Sequence, residues 1–208
     1  MIPPTGIIVV KLGGSLIEAG TVHRWLGALT RLGGAGRAVL VPGGGPFADA
    51  VRAAQRAHGF SDRAAHEMAL LAMEQMAVML ADAEPLAEPC ATLGAIRDAL
   101  LRRRIPIWRP SGLALAAGED ELPASWTVTS DSLAAWLACR LGAAGLVLVK
   151  SAAAVPPGAN LADLAASGIV DDAFPRLAAG LDVAILGPGD EGRLADRLRL
   201  PCLTAFSS

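Results

Sequence analysis

With 208 residues, a net charge of −2 and 53% hydrophobic residues, the chain fits one globular domain and excludes a disordered one. Its charge balance lacks the clustered basic face of a nucleic-acid binder, so no nucleic-acid partner is expected. Three scattered cysteines (Cys90, Cys139, Cys202) and three histidines without paired-ligand spacing give no disulfide framework and no metal site, and fit a reducing cytoplasm.

The pattern along the chain is strand, glycine turn, helix, repeated. Ile7–Lys11 reads as a fully buried strand. A helix is expected from about Ile17 to Leu32, stopped by Gly33-Gly34. Ala38–Val41 reads as a second strand. Pro42-Gly43-Gly44-Gly45 then turns the chain into a helix with Pro46 as its first residue, running to about His58. Ser61 or Asp62 caps a long helix to about Ala83. It carries Met68, Met73, Met76 and Met79, read first as core packing and second as a dimer contact. Thr92–Arg104 is expected to be helical, with Arg102-Arg103-Arg104 complementing its negative end. Ile105–Trp108 reads as a strand and Leu113–Trp126 as an irregular loop, a length that often signals function. Ser130–Leu141 reads as a helix capped by Ser130 or Asp131. Leu146–Lys150 is a buried strand. Two short helices follow, and Val183–Leu186 and Cys202–Ala205 read as the last strands. The fold class is α/β, a mostly parallel sheet covered by helices on both faces. No apolar run free of breakers and charges reaches the ~20 residues of a membrane helix. The N-terminus lacks a basic signal region. A cytoplasmic protein without a membrane partner is expected.

Lys11 and Lys150 are the only lysines; the other basic residues are arginine. Each follows an apolar strand run, not a surface face. A lysine ammonium is a compact point charge, whereas guanidinium is a planar fork. Lys11-Leu12-Gly13-Gly14-Ser15 and Pro42-Gly43-Gly44-Gly45-Pro46 are glycine turns after strands. Such turns let main-chain N–H groups approach a phosphate, and a following helix adds its positive end. Ligands of open parallel sheets bind at the carboxyl ends of strands. Neither turn has the Walker or dinucleotide spacing. Two such turns with two ammoniums suit phosphoryl transfer, which is mostly positioning and charge neutralisation. Asp131 either holds the two ammoniums apart or caps a helix; both roles fit if Ser130 caps.

Lys-x-Gly-Gly-Ser at 11–15, Pro-Gly-Gly-Gly at 42–45 and Val-Thr-Ser-Asp-Ser at 128–132 together resemble the amino acid kinase family. The resemblance covers about residues 5–150 well. It implies a three-layer αβα sandwich over 1–208, with an acceptor half to about 145 and a nucleotide half from about 146. It further implies catalysis by Lys11, Asp131 and Lys150. Gly13, Gly14, Ser15, Lys150, Ser151 and Gly187 would hold ATP with magnesium. Gly43, Gly44, Gly45 and Thr129 would hold the acceptor.

The stretch Leu122-Pro123-x-Ser125-Trp126-x-Val128 through Trp136 is similar to the small kinases of methanofuran biosynthesis, whose acceptor is an aminomethylfuran methyl phosphate. His66-x-Met68-Ala69-Leu70 and Val170-Asp171-x-x-Phe174-Pro175 share that similarity. On this resemblance Trp126 suits an aromatic acceptor. His66 either faces the acceptor or sits on a helix surface. Arg52 reaches an acceptor phosphate or, the preferred reading, lies on a solvated face. The chain departs from the family after Lys150, where Ser151-Ala152-Ala153-Ala154 replaces a Val-Asp-Gly segment. A homo-oligomer is expected.

Overall fold

The computed structural model describes residues 6–18, 20–31, 36–151 and 159–199. Five strands were expected within that span and six are present. They are β1 (Ile8–Leu12), β2 (Ala38–Pro42), β3 (Ala87–Cys90), β4 (Ile105–Trp108), β5 (Gly145–Val149) and β6 (Val183–Leu186). All pair in parallel, in the order β3-β4-β2-β1-β5-β6. The expected strand Cys202–Ala205 and the stop at Gly33-Gly34 lie outside the described residues.

Successive strand side chains point to opposite faces, and both faces here are apolar. Val9, Val39, Val41, Leu146 and Leu148 face one core, shared with α5 (Leu93–Leu101) and α7 (Ser130–Leu141). Val10, Leu12, Leu40, Val147 and Val149 face the other, shared with α2 (Val22–Arg31) and α10 (Glu191–Arg199). The result is the expected three-layer α/β architecture. Trp108 of β4 stacks on Trp136 of α7 with ring centroids 5.9 Å apart, which fixes that helix against the sheet.

Several expectations need correction. The single helix over 17–32 is two, α1 (Ser15–Glu18) and α2. Gly20, at φ +65°, breaks it, and the Thr21 N–H turns back to the Leu16 carbonyl at 2.9 Å. The loop over 113–126 begins inside a short helix, α6 (Ser111–Ala116). The helix expected over 92–104 ends at Leu101, with Arg103 at φ +56°, and Arg102 and Arg104 pair with Glu88 instead of extending it.

β3 was not anticipated, because Glu88 and Pro89 interrupt any apolar run. It is an edge strand. The Leu86 and Cys90 carbonyls accept from Ile105 and Arg109 of the inner neighbour. By two-residue alternation the backbone at Pro89 therefore faces outward, where its missing N–H costs no ladder bond.

The long helices behave as expected at their ends. α3 (Gly45–His58) starts with Pro46 in its first turn, and Gly59 closes it at φ +67°. α4 (Asp62–Asp82) is capped by Ser61, whose hydroxyl accepts from the Ala64 N–H. Met73 and Met76 of α4 are buried, whereas Met68, Leu71, Val78 and Met79 stay exposed. Among the described residues, no helix is long and apolar enough to cross a membrane. After β5 come the remaining short helices, α8 (Leu161–Ala166) and α9 (Phe174–Leu177).

Candidate active site

Lys11 belongs to β1 on the same face as Val9, and Lys150 follows the end of β5 beside it. Register pairs Leu12 with Val149, so both lysines stand at the carboxyl edge of the two central strands. α7 crosses that face and brings Asp131 down between them. Lys11 Nζ lies 2.8 Å from Asp131 Oδ1, and Lys150 Nζ donates to Oδ2 at 2.5 Å. Lys11 and Asp131 are buried, and the Lys150 side chain stays partly exposed. Burial alone would raise the Asp131 carboxyl, but the Lys11 and Lys150 charges together hold it below the usual carboxylate range. Burial, then the Lys11 charge, pushes Lys150 below the usual lysine range, against the pull of Asp131.

The two glycine turns abut. A Cβ on Gly14 would overlap the Cα and nitrogen of Gly45, and one on Gly43 would stand 2.6 Å from the Gly14 nitrogen. The Gly43 N–H bonds to the Leu12 carbonyl at 2.8 Å, and the Gly13 N–H bonds to the Val149 carbonyl at 3.1 Å. The turns are thus tied across the sheet as well as to each other. Ser151 Oγ donates to Ser15 Oγ at 2.8 Å, which brings the residue after Lys150 against the first turn. The altered segment Ala152–Gly158 lies outside the described residues. Gly187 stands apart, after β6, and its N–H goes to Asp190 at 2.9 Å.

A cleft of about 250 Å³ opens beside these turns. Gly14, Ser15, Gly43, Gly44, Gly45, His66, Trp126 and Thr129 all line it, whereas Gly13, Lys11, Asp131 and Lys150 are not part of its wall. Thr129 and Ser130, also in the wall, lead directly into Asp131. His66 is buried here and not on a helix surface. Burial pushes its imidazole below its usual value, with the Ser125 main chain and the Glu119 charge opposing.

Arg52 meets both readings, since its side chain stays 41% exposed and also borders the cleft. It lines the cleft with its guanidinium 4.4 Å from the centre of the Trp126 ring, and it also pairs with Asp49 at 3.0 Å. Trp126 Nε1 donates to Gln55 Oε1 at 2.7 Å. Gln55 escaped sequence reasoning; its position one turn beyond Arg52 on α3 was the available signal.

The capping of α7 also differs from expectation. Thr129 is the N-cap and makes no cap bond with its own side chain. Asp171 supplies the missing acceptor. Its Oδ2 takes the Thr129 N–H at 2.8 Å, the Thr129 hydroxyl at 2.7 Å and the Ser132 N–H at 3.1 Å, and its Oδ1 takes the Ser132 hydroxyl.

The arrangement has what phosphoryl transfer needs. Gly14, Gly44 and Gly45 line the cleft, the Gly13 and Gly43 N–H groups are held by strand carbonyls, and two ammoniums with a carboxylate between them stand at the ends of β1 and β5. Among the described residues no group of three or more His, Cys, Asp or Glu could hold a metal ion.

The model of the amino acid kinase family matches residues 6–156. The [5-(aminomethyl)furan-3-yl]methyl phosphate kinase of Methanocaldococcus jannaschii is 27% identical over 179 residues, 81% of each chain. Uridylate kinase from Archaeoglobus fulgidus has a TM-score of 0.68 at 15% identity, over 92% of this chain and 95% of that one. UMP kinase from Bacillus anthracis has a TM-score of 0.67 at 14% identity, over 92% of each. At such identities the two structures speak for the fold. With a family match across most of the chain and the Lys–Asp–Lys site in place, the chain belongs to the amino acid kinase family and is one of its kinases.

Proposed function

We propose that this kinase transfers the γ-phosphoryl group of ATP to an acceptor that already carries a phosphate, an aminomethylfuran methyl phosphate. The observation that carries the reading is the shared cleft. It offers glycine-turn N–H groups and Arg52 for an acceptor phosphate, and the Trp126 face for a flat ring. The relative from Methanocaldococcus jannaschii, with its aminomethylfuran phosphate in the printed name, supports the choice of acceptor.

In this reading an oxygen of the acceptor phosphate attacks the γ-phosphorus, and the bond to the bridging oxygen of ADP breaks. Lys11 and Lys150 neutralise the charge on the moving group, and Asp131 keeps both ammoniums aimed at it. Gly13, Gly14 and Ser15 serve the nucleotide, while Gly43, Gly44, Gly45, His66, Trp126 and Thr129 serve the acceptor. Ser151 and Gly187 complete the nucleotide side, and residues from about 146 onward form the nucleotide half of a single domain. Magnesium enters with the nucleotide as part of the substrate, held by phosphate and water. In this reading the protein is cytoplasmic, and the exposed row Met68, Leu71, Val78 and Met79 on α4 supports a homodimer. Sedimentation velocity of wild type against Leu71→Glu tests that part.

UMP also presents a phosphate and a flat ring, and the uridylate kinase fold makes it the second reading. ADP release with magnesium-ATP and a panel of acceptors separates the two. The furan phosphate should exceed UMP in kcat/KM by at least ~10-fold, an ordinary pocket discrimination. Turnover of UMP without turnover of the furan would overturn the acceptor assignment. ATP binding without ADP release from any acceptor would point to a binding protein instead.

A further inference from the structure

Asp171 lies far from the glycine turns in sequence, yet it holds the start of α7 more completely than any residue of that helix. The first N–H groups of a helix have no partner within it, and here the N-cap side chain leaves them unserved. The Asp171 carboxylate takes two of them and two hydroxyls as well, all from Thr129 and Ser132. Those two residues straddle Asp131. The carboxylate therefore sets the position of the one residue that separates Lys11 from Lys150.

Asp171 is itself firmly placed. Val170 before it and Phe174 after it are buried in the core that α7 shares. The Phe174 N–H bonds to the Asp171 carbonyl at 3.1 Å, and the Ala173 N–H bonds to the Thr127 carbonyl at 3.1 Å. The first bond closes the segment on itself, and the second ties it to the stretch leading into α7. The charge has a second target. Lys150 is faced by Lys11 from β1, Asp131 from α7 and Asp171 from the segment before α9; the last two favour its ammonium and the first opposes it.

We propose that Asp171 is a positioning residue for phosphoryl transfer, clamping Thr129 and Ser132 so that Asp131 stands between the two lysines and adding its negative charge to the field at Lys150. The proposal rests on the roles given above to Lys11, Asp131 and Lys150. A helix cap alone would affect stability. A positioning cap also affects turnover and its pH dependence.

The test compares Asp171→Asn, Asp171→Glu, Ser132→Ala and Asp131→Asn by steady-state kinetics, pH profile and thermal melting. Asp171→Asn keeps the shape but removes the charge, and one of its two acceptor oxygens becomes an NH2 that can accept from neither N–H nor hydroxyl. We expect kcat to fall at least ~10-fold, as when a group acting in the transition state is misplaced. KM for ATP should stay within ~3-fold, and the alkaline limb of kcat/KM should move to lower pH as Lys150 loses a favourable charge. Asp171→Glu should recover part of kcat and return the limb. Ser132→Ala removes one of four bonds and leaves the charge, so its limb should not move; it reads the proposal even if Asp171→Asn fails to fold. Asp171→Asn with wild-type kcat and an unmoved limb, melting lower, would reduce Asp171 to a structural cap, and so would a Ser132→Ala limb displaced as far as that of Asp171→Asn. If Asp131→Asn itself keeps wild-type turnover, the Lys–Asp–Lys reading fails and this proposal with it. Loss in Asp131→Asn but not in Asp171→Asn sinks the present proposal alone.

Discussion

Gly14 and Gly45 meet backbone to backbone, so that a single methyl group on Gly14 would overlap both the Cα and the nitrogen of Gly45. The neighbouring atoms are main chain and cannot swing aside. Gly14→Ala should therefore force the two turns apart. Turnover should fall by at least ~100-fold, the scale of losing a preorganised donor set, with folding retained. Circular dichroism and ADP release on the same preparation check it; wild-type activity in Gly14→Ala would mean the turns tolerate separation.

Lys11 gives the sharpest test of the chemistry. Lys11→Ala should lower kcat by at least ~100-fold, by analogy with removing one charge-stabilising donor. Lys11→Arg should fail as well, because a planar fork does not fit the buried space of an ammonium 2.8 Å from Asp131. Near-wild-type turnover by either variant would remove Lys11 from the reaction.

Asp131→Asn leaves two ammoniums facing each other without an anion. Breaking a buried ion pair from one side costs about 3–5 kcal/mol, so the melting temperature should fall along with activity. Added inorganic phosphate should restore part of the melting temperature by standing in for the carboxylate. Differential scanning fluorimetry with and without phosphate reads this directly.

The pH profile follows from the signs of the shifts. Lys150 must be charged to act, and burial with the Lys11 charge lowers its pKa. Activity is thus full on the acid side of that lowered value and lost as pH rises through it. The alkaline limb of kcat/KM, which reports the free enzyme, should lie below the ordinary lysine range. Asp131 is lowered instead, so its contribution to stability is present above the ordinary carboxylate range and vanishes only as pH falls through the lowered folded value. A limb at or above the ordinary lysine range would contradict the assignment.

Trp126→Ala removes the ring under Arg52 and the bond to Gln55. If the ring binds the acceptor equally in ground and transition states, KM for the acceptor should rise ~10-fold while kcat holds within ~3-fold. KM for ATP should not move. A loss confined to kcat would assign Trp126 to the transition state.

Much of this was legible in the residues. Strands β1, β2, β4, β5 and β6 read as apolar runs because sheets buried on both faces need no alternation. The two glycine turns, Asp131 and the two lysines were visible because phosphate chemistry demands unusual residues at strand ends. What escaped notice depends on distant partners. Asp171 stands out only within a segment shared with the methanofuran kinases, and its reach to α7 from 42 residues away leaves no local sign of its role. Arg52 reads as a solvated arginine until Trp126 arrives beneath it from a different part of the chain. β3 tolerates Pro89 because its outer edge has no ladder partner, and Glu88 because Arg102 and Arg104 pair with it.

That edge strand has one more consequence. On its outward side the Ala87 N–H is already spent on the Glu84 carbonyl at 2.9 Å, and Pro89 has none to give. A second chain arriving alongside would find carbonyls but no donors, so the sheet cannot be lengthened from this end. Growth by strand addition, the common route to fibrillar aggregates, is closed there. Copies of this kinase that meet do so through surfaces other than this edge.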